Sequence, residues 1–349
     1  MLIVGQEHHE PMEIDAGAAV YAVTFSADGE YIFTGGRVRV RMWRVEDGKQ
    51  ITTLMEANDV RCLAVSNDGK WIAGGTFFGD VLVWDANTYE QVFAHREDYD
   101  IVNGVDFSPD SSRLVSASDN KTAIVWDIAT GEQAQTLHHE GWVRTAKYSP
   151  QGDRIATATF HSVRVYDGND GRMLVDIEVG DTSWHNSGLL WFNNHLLVVS
   201  DHKIKQFDAS TGSAVSEWLV PDTDMDSCIG LPKHGEFIAC STKSTVTFWD
   251  MATHTQLGLI QHPQDIRSIA LSPDDLFIAI CGWDGTIDIQ SLSRIGVSTA
   301  NILTLIILTH GTQSLCLVYS TRSMNQTFGS TPPRSILGST VNSRTQNHY

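Results

Sequence analysis

Val102-Asn103-Gly104-Val105-Asp106-Phe107-Ser108-Pro109-Asp110, Arg113-Leu114-Val115-Ser116-Ala117-Ser118 and Ala123-Ile124-Val125-Trp126-Asp127 follow one another within 26 residues. The first is an apolar strand that ends in a small turn. The second is a strand rich in small residues. The third alternates and closes on an aromatic and an acid. A turn containing Thr130-Gly131 and a fourth short strand complete the unit. Helical periodicity is hard to find along the chain, whereas Val, Thr, Trp and turn glycines are frequent, which points to an all-β protein.

The unit recurs along residues 16–291. Its closing position in the third strand is Trp43, Trp84, Trp126, Tyr166, Phe207, Trp249 and Gln290, with steps of 41, 42, 40, 41, 42 and 41 residues. A four-stranded repeat of about 40–45 residues is the signature of a propeller blade. The predicted fold class is therefore all-β, a seven-bladed β-propeller of four-stranded antiparallel blades. The turns keep the same register. Asp28-Gly29, Asp68-Gly69, Gln151-Gly152 and His234-Gly235 close the first hairpin of a unit, and Asp47-Gly48, Asp170-Gly171 and Thr211-Gly212 the last. Each supplies the positive φ or Asx geometry that a tight reversal needs.

Trp84-Asp85, Trp126-Asp127 and Trp249-Asp250, with the Ser-Pro-Asp turns at 108–110 and 272–274, resemble the WD-repeat (WD40) family over roughly the first 290 residues. The resemblance implies blades round a central channel. Blades of that family often join a His, an Asp and the Trp in a buried hydrogen-bonded network. Here His139 and His262 match the His position, with His95 displaced, and Asp201, Asp284 and Asn120 fall at the Asp position. No blade keeps all three, so apolar packing between blades is expected to carry most of the stability, because a partial polar network is weak glue.

A propeller must hide its last sheet edge. By analogy the segment near His9 to Ile14 supplies the outer strand of the seventh blade, where Pro11 is tolerated on an outer edge. The competing segment is the apolar run Ile302 to Leu308. The expected organisation is a propeller over 1–295 and a Ser/Thr/Asn-rich tail over 296–349. That tail has no acid after Asp288 and is expected to be disordered or a gene-model artefact. Its start at Val297-Ser298, a dipeptide that a splice-donor sequence can encode, fits a translated intron or alternative exon.

The chain is 42% hydrophobic, enough for a sizeable core, and carries 24 Lys+Arg against 42 Asp+Glu, a formal charge of −18. That sign repels phosphate backbones and anionic membrane, so neither nucleic acid nor membrane is expected as a partner. Of five cysteines without C-x-x-C spacing (Cys62, Cys228, Cys240, Cys281 and Cys316), four sit in apolar strand-like runs, where a free thiol acts as a small hydrophobe, and the count suits a reducing compartment. No signal peptide is expected, and the most apolar stretch, Ile302 to Leu308, is seven residues, far below the roughly 20 needed to span a bilayer. The expected residence is intracellular, cytoplasmic and/or nuclear.

The resemblance also places contact positions. In WD-repeat proteins they often flank the first apolar residue of the inner strand or precede the Asp position. The first set here is Tyr21, Asp59, Arg61, Asn103, Trp142, Arg144, Asp265 and Arg267. The second is Phe77, Asp119 and Trp283. Aromatics and Arg most often dominate interfaces. The expectation is therefore a non-catalytic scaffold or adaptor that binds partner proteins or peptides, within a multiprotein complex, on the narrower top face. It extends to a preference for acidic or phosphorylated segments. The plain alternative is that these side chains merely cover the ends of their own blades.

A metal is not expected, since His8-His9 and His138-His139 are adjacent residues that point to opposite faces of a strand. No cofactor is expected either: Gly35-Gly36 and Gly74-Gly75 lie inside strands, and no phosphate-binding or nucleophile-elbow motif occurs. Asp59, Asp265 and His185 at the channel mouth offer the only acid–base reading. Cullin-ligase receptors of this fold often carry Trp-Asp-x-Arg, but the fourth residue here is Asn87, Ala129 or Ala252. A sensor or substrate-recruiting domain of a larger assembly is the second expectation, and a propeller enzyme the third.

Overall fold

The computed structural model describes residues 11–55, 59–96, 100–180, 188–221, 223, 227–233 and 235–295. The tail, the run Ile302 to Leu308, Cys316, His8-His9 and His185 lie outside them. Six antiparallel four-stranded sheets span 20–55, 60–96, 102–138, 145–178, 189–219 and 229–261, each with its strands in chain order. The seventh joins Ile266–Leu271, Phe277–Gly282 and Thr286–Ser291 to an outer strand, Met12–Asp15, from the other end of the chain. Met12 pairs with Ile289 and Asp15 with Thr286. No described helix is long and apolar enough to cross a membrane.

The strands follow from period-two patterning. Alternate residues of a strand face opposite sides, and here each side meets a neighbouring blade. In blade 2, Ile72, Leu82 and Trp84 pack with Phe33 and Met42 of blade 1. The intervening Ala73, Val81 and Val83 pack with Val105 and Leu114 of blade 3. Seven apolar clusters form in this way, one at each junction, including the junction of blade 7 with blade 1. Each fully buried Val, Leu or Ile contributes roughly 1.5–3 kcal/mol. Cys62, Cys228, Cys240 and Cys281 are buried free thiols within these clusters. Burial pushes the Cys62 thiol up to about 12, so it behaves as a hydrophobe.

The polar groups inside the blades are met locally. The Nε1 of Trp43 donates to Thr34, that of Trp126 to Ser116 and that of Trp249 to Thr247, all at 2.9 Å. In blade 2 the corresponding position is Gly74, where an added Cβ would lie 3.2 Å from the Trp84 ring, and Trp84 Nε1 has no partner among the described residues. In blade 4 the imidazole of His139 contacts the Leu137 carbonyl through Nδ1 at 3.1 Å. Its Nε2 meets the Thr157 and Tyr166 hydroxyls at 2.8 and 3.1 Å. The Tyr166 hydroxyl thus takes the place of the family network's indole.

Candidate functional site

The inner strands carry the site, and β-bulges set it. Pairing slips by one residue between Val20 and Ala22, Val60 and Cys62, Val102 and Gly104, and Ile266 and Ser268. The unpaired residues are Tyr21, Arg61, Asn103 and Arg267. A bulge frees one residue from the ladder and re-aims its side chain. All four line a cavity of about 190 Å3 enclosed by the inner strands of all seven blades. Thr24, Leu63, Lys147, Leu190, Ile229 and Ser268 are among its other walls.

Two clusters form at this end of the ring. In the first, the Arg267 guanidinium lies 4.1 Å from the Trp283 ring, and Trp283 meets Tyr21 edge-on at 5.3 Å. Arg61 sits between Tyr21 and Phe77, 5.3 and 5.5 Å from their ring centres. This chain of contacts crosses blades 7, 1 and 2. The second crosses blades 3 and 4. Asn103 Nδ2 donates to Asp119 Oδ1 at 2.6 Å and to the Val143 carbonyl at 3.0 Å. Arg144 donates to the same carboxylate oxygen at 3.0 Å and stacks on Trp142 and Phe160 at 4.9 and 4.3 Å.

Burial separates the roles. Arg144 and Arg267 are only 5% and 7% exposed, so they organise the face from beneath, whereas Phe77, Trp142 and Trp283 are 43–46% exposed. Burial lowers the basicity of Arg144, Asp119 opposes that shift, and repulsion from Arg61 adds to it. Burial likewise raises the Asp119 carboxyl, against the hydrogen bond from Asn103 and the charge of Arg144. Each ion of the pair holds the other charged in a site that would otherwise disfavour both.

Asp59 and Asp265 are not drawn into either cluster by a side-chain hydrogen bond or ion pair among the described residues. Asp59 has a turn role instead. At φ 54° its amide donates to the Arg37 carbonyl and its carbonyl accepts from Phe77. Sequence reasoning missed Phe160, which lies 41 residues beyond Asp119 and so occupies the same repeat position as Phe77, Asp119 and Trp283. It also missed the exposed Phe78, edge-on to Phe77 at 5.6 Å. Among the described residues no three His, Cys, Asp or Glu side chains gather as a metal site.

The model of the WD domain, G-beta repeat, matches residues 48–85, 87–127 and 254–289. Three WD repeats are thus matched, in a chain that folds as a seven-bladed β-propeller. It is 24% identical over 295 residues to the U3 small nucleolar RNA-associated protein 15 homolog of Xenopus laevis, covering 82% of this chain and 56% of that protein. It is 23% identical over 282 residues to Autophagy-related protein 16 of Arabidopsis thaliana, covering 78% and 47%. It is 26% identical over 232 residues to WD repeat-containing protein 1 of Bos taurus, covering 60% and 37%. The chain thus spans about half or less of the length of these relatives.

Proposed function

We propose that this propeller is a non-catalytic interaction scaffold that takes partner proteins or peptides on the face built by the two Arg–aromatic clusters. One observation carries the reading. Tyr21, Arg61, Asn103 and Arg267, on blades 1, 2, 3 and 7, line a single cavity, and the exposed rings Phe77, Trp142 and Trp283 stack on Arg61, Arg144 and Arg267. Rigid aromatics backed by buried arginines fit the composition of interface hot spots. The relatives above are named as a small nucleolar RNA-associated, an autophagy-related and a WD repeat-containing protein, and none of these is an enzyme name.

A second reading, a recruiting domain of a longer polypeptide, is supported by the relatives' greater length. The nucleolar word in one relative's name supports nuclear residence. The charge of −18 argues that any RNA-containing particle would be met through its proteins.

The test compares proteins that co-purify from the native cell with the tagged chain and with a Phe77→Ala/Trp142→Ala/Trp283→Ala variant of unchanged circular dichroism. Arg144 is left alone, because reversing a buried partner of Asp119 would endanger the fold. Hot-spot rings are each worth about 2 kcal/mol or more, so a direct partner should be lost from the variant. Identical partner sets would move the interface away from this face.

A further inference from the structure

A groove of about 480 Å3 lies between blades 7 and 1, at the end of the ring opposite the Arg–aromatic clusters. Gly29 and Glu30 reach it from the turn between the first two strands of blade 1, and Val45 and Glu46 from the turn between its last two. Met12 of the closing strand, Tyr31 and Val45 of blade 1, and Phe277 and Ile289 of blade 7 make its lining apolar. Met12, Val45 and Phe277 are only partly buried, so they leave apolar surface open. The volume falls within the range of ligand pockets, roughly 300–1,000 Å3. The charged members of the lining are Arg44, Glu30 and Glu46. Arg44 is already engaged by Asp47 at 3.2 Å. The Val45 amide donates to the Glu30 carbonyl at 2.9 Å, which joins the two turns and sets both glutamates on one rim. Both are exposed, and neither carboxylate has an ion-pair or side-chain hydrogen-bond partner among the described residues.

We infer that this groove is a docking site of its own, for a linear peptide in which a large aliphatic side chain is flanked by Arg or Lys. The aliphatic side chain enters the apolar lining, and the cations meet Glu30 and Glu46. Charge complementarity selects this occupant. Two like charges held on one rim without a cation of their own repel each other, and a basic ligand relieves that cost. A second copy of a chain of −18, an acidic peptide or a phosphate backbone would add to it. A neutral small molecule would fill the apolar lining and leave the carboxylates unused. The site does not rest on the top-face reading, since the groove and the axial cavity share no lining residue among those described.

The test uses the full chain and three fluorescent nine-residue peptide pools, read by anisotropy. One has a central Leu and two Arg among otherwise randomised flanks. The second replaces both Arg by Glu, and the third replaces the Leu by Ala. The Leu–Arg pool should bind about 10-fold or more tightly than the Glu pool and about 10-fold more tightly than the Ala pool. Glu30→Gln/Glu46→Gln changes only exposed side chains and should remove the preference for Arg. Ser291→Trp fills the groove from its wall and should abolish binding of the Leu–Arg pool. The Phe77→Ala/Trp142→Ala/Trp283→Ala variant should bind that pool as the unaltered chain does. The preference for Arg should weaken as salt rises. Equal binding of Arg and Glu pools, or a preference untouched by Glu30→Gln/Glu46→Gln, overturns the proposal. So does an Ala pool that binds as tightly as the Leu pool, because the apolar lining then contributes nothing. Binding lost from the triple-alanine variant would place the peptide on the top face and overturn the assignment to this groove. Sedimentation of the chain alone as a dimer that Ser291→Trp dissolves would give the groove to a second copy. Competition by a peptide of residues 1–10 at the affinity of the Leu–Arg pool would give it to the chain's own start. Either result overturns the basic-peptide assignment and leaves the top-face scaffold standing.

Discussion

At the scale of single residues, His139 shows how one side chain ties stability to pH. Burial first, and the nearby Arg164 second, push its imidazole down to about 4 from an ordinary 6.5. With its Nδ1 proton given to the Leu137 carbonyl, the neutral ring accepts at Nε2 from hydroxyls. A base whose folded pKa is lowered binds fewer protons folded than unfolded between about 4 and 6.5, so acid favours unfolding in that window. Between pH 7 and pH 4 this residue should cost about 3 kcal/mol. Urea unfolding of His139→Gln should show a correspondingly shallower loss on acidification. Parallel pH profiles for the two proteins would remove His139 as the cause. The sequence placed His139 beneath its blade, but not its partners. Thr157 and Tyr166 belong to later strands of the sheet, 18 and 27 residues along the chain.

At the scale of elements, the first hairpins of the seven blades share one backbone requirement. Gly29, Gly69, Ser111, Gly152, Asn193, Gly235 and Asp275 all have φ between 55° and 77°. Four are glycines, which made those turns legible in the sequence. The other three accept the left-handed conformation at a cost that glycine avoids. Added bulk should therefore expose local packing. Gly29→Ala meets only Pro273 Cδ at 3.5 Å and should cost about 1 kcal/mol of backbone strain. Gly235→Ala drives its Cβ into the Phe192 ring and should cost clearly more. Chemical denaturation ranks the two, and the reverse order would contradict the packing described. The bulges at Tyr21, Arg61, Asn103 and Arg267 lay beyond sequence reading. They depend on how inner and second strands pair, and the register rule alone counted these residues as ordinary strand members.

At the scale of the whole molecule, closure decides stability. Met12–Asp15 covers the edge of Thr286–Ser291, and Ile14 joins Ile287, Ile289, Val20 and Phe25 in the cluster between blades 7 and 1. Ile14→Asp buries an unpaired charge there, so it should cost at least about 3 kcal/mol and promote self-association through the exposed edge. Urea unfolding and light scattering check both, and unchanged stability would mean that this strand is dispensable. The triple-alanine comparison acts at the same scale, since it asks what residues from separate blades do together.

The sequence by itself determined the repeat number, the strand pattern and the angular position of most side chains near the cavity. Each repeat writes its own hydrophobic alternation and turn residues, and these are local. The choice between two candidate closing strands, and the gathering of Arg267, Trp283, Tyr21, Arg61 and Phe77 into one chain of contacts, came only from the tertiary structure. Those residues are up to 262 positions apart in the chain, and nothing local encodes which of their side chains touch. Ring closure and the bulges that turn them toward one cavity decide it.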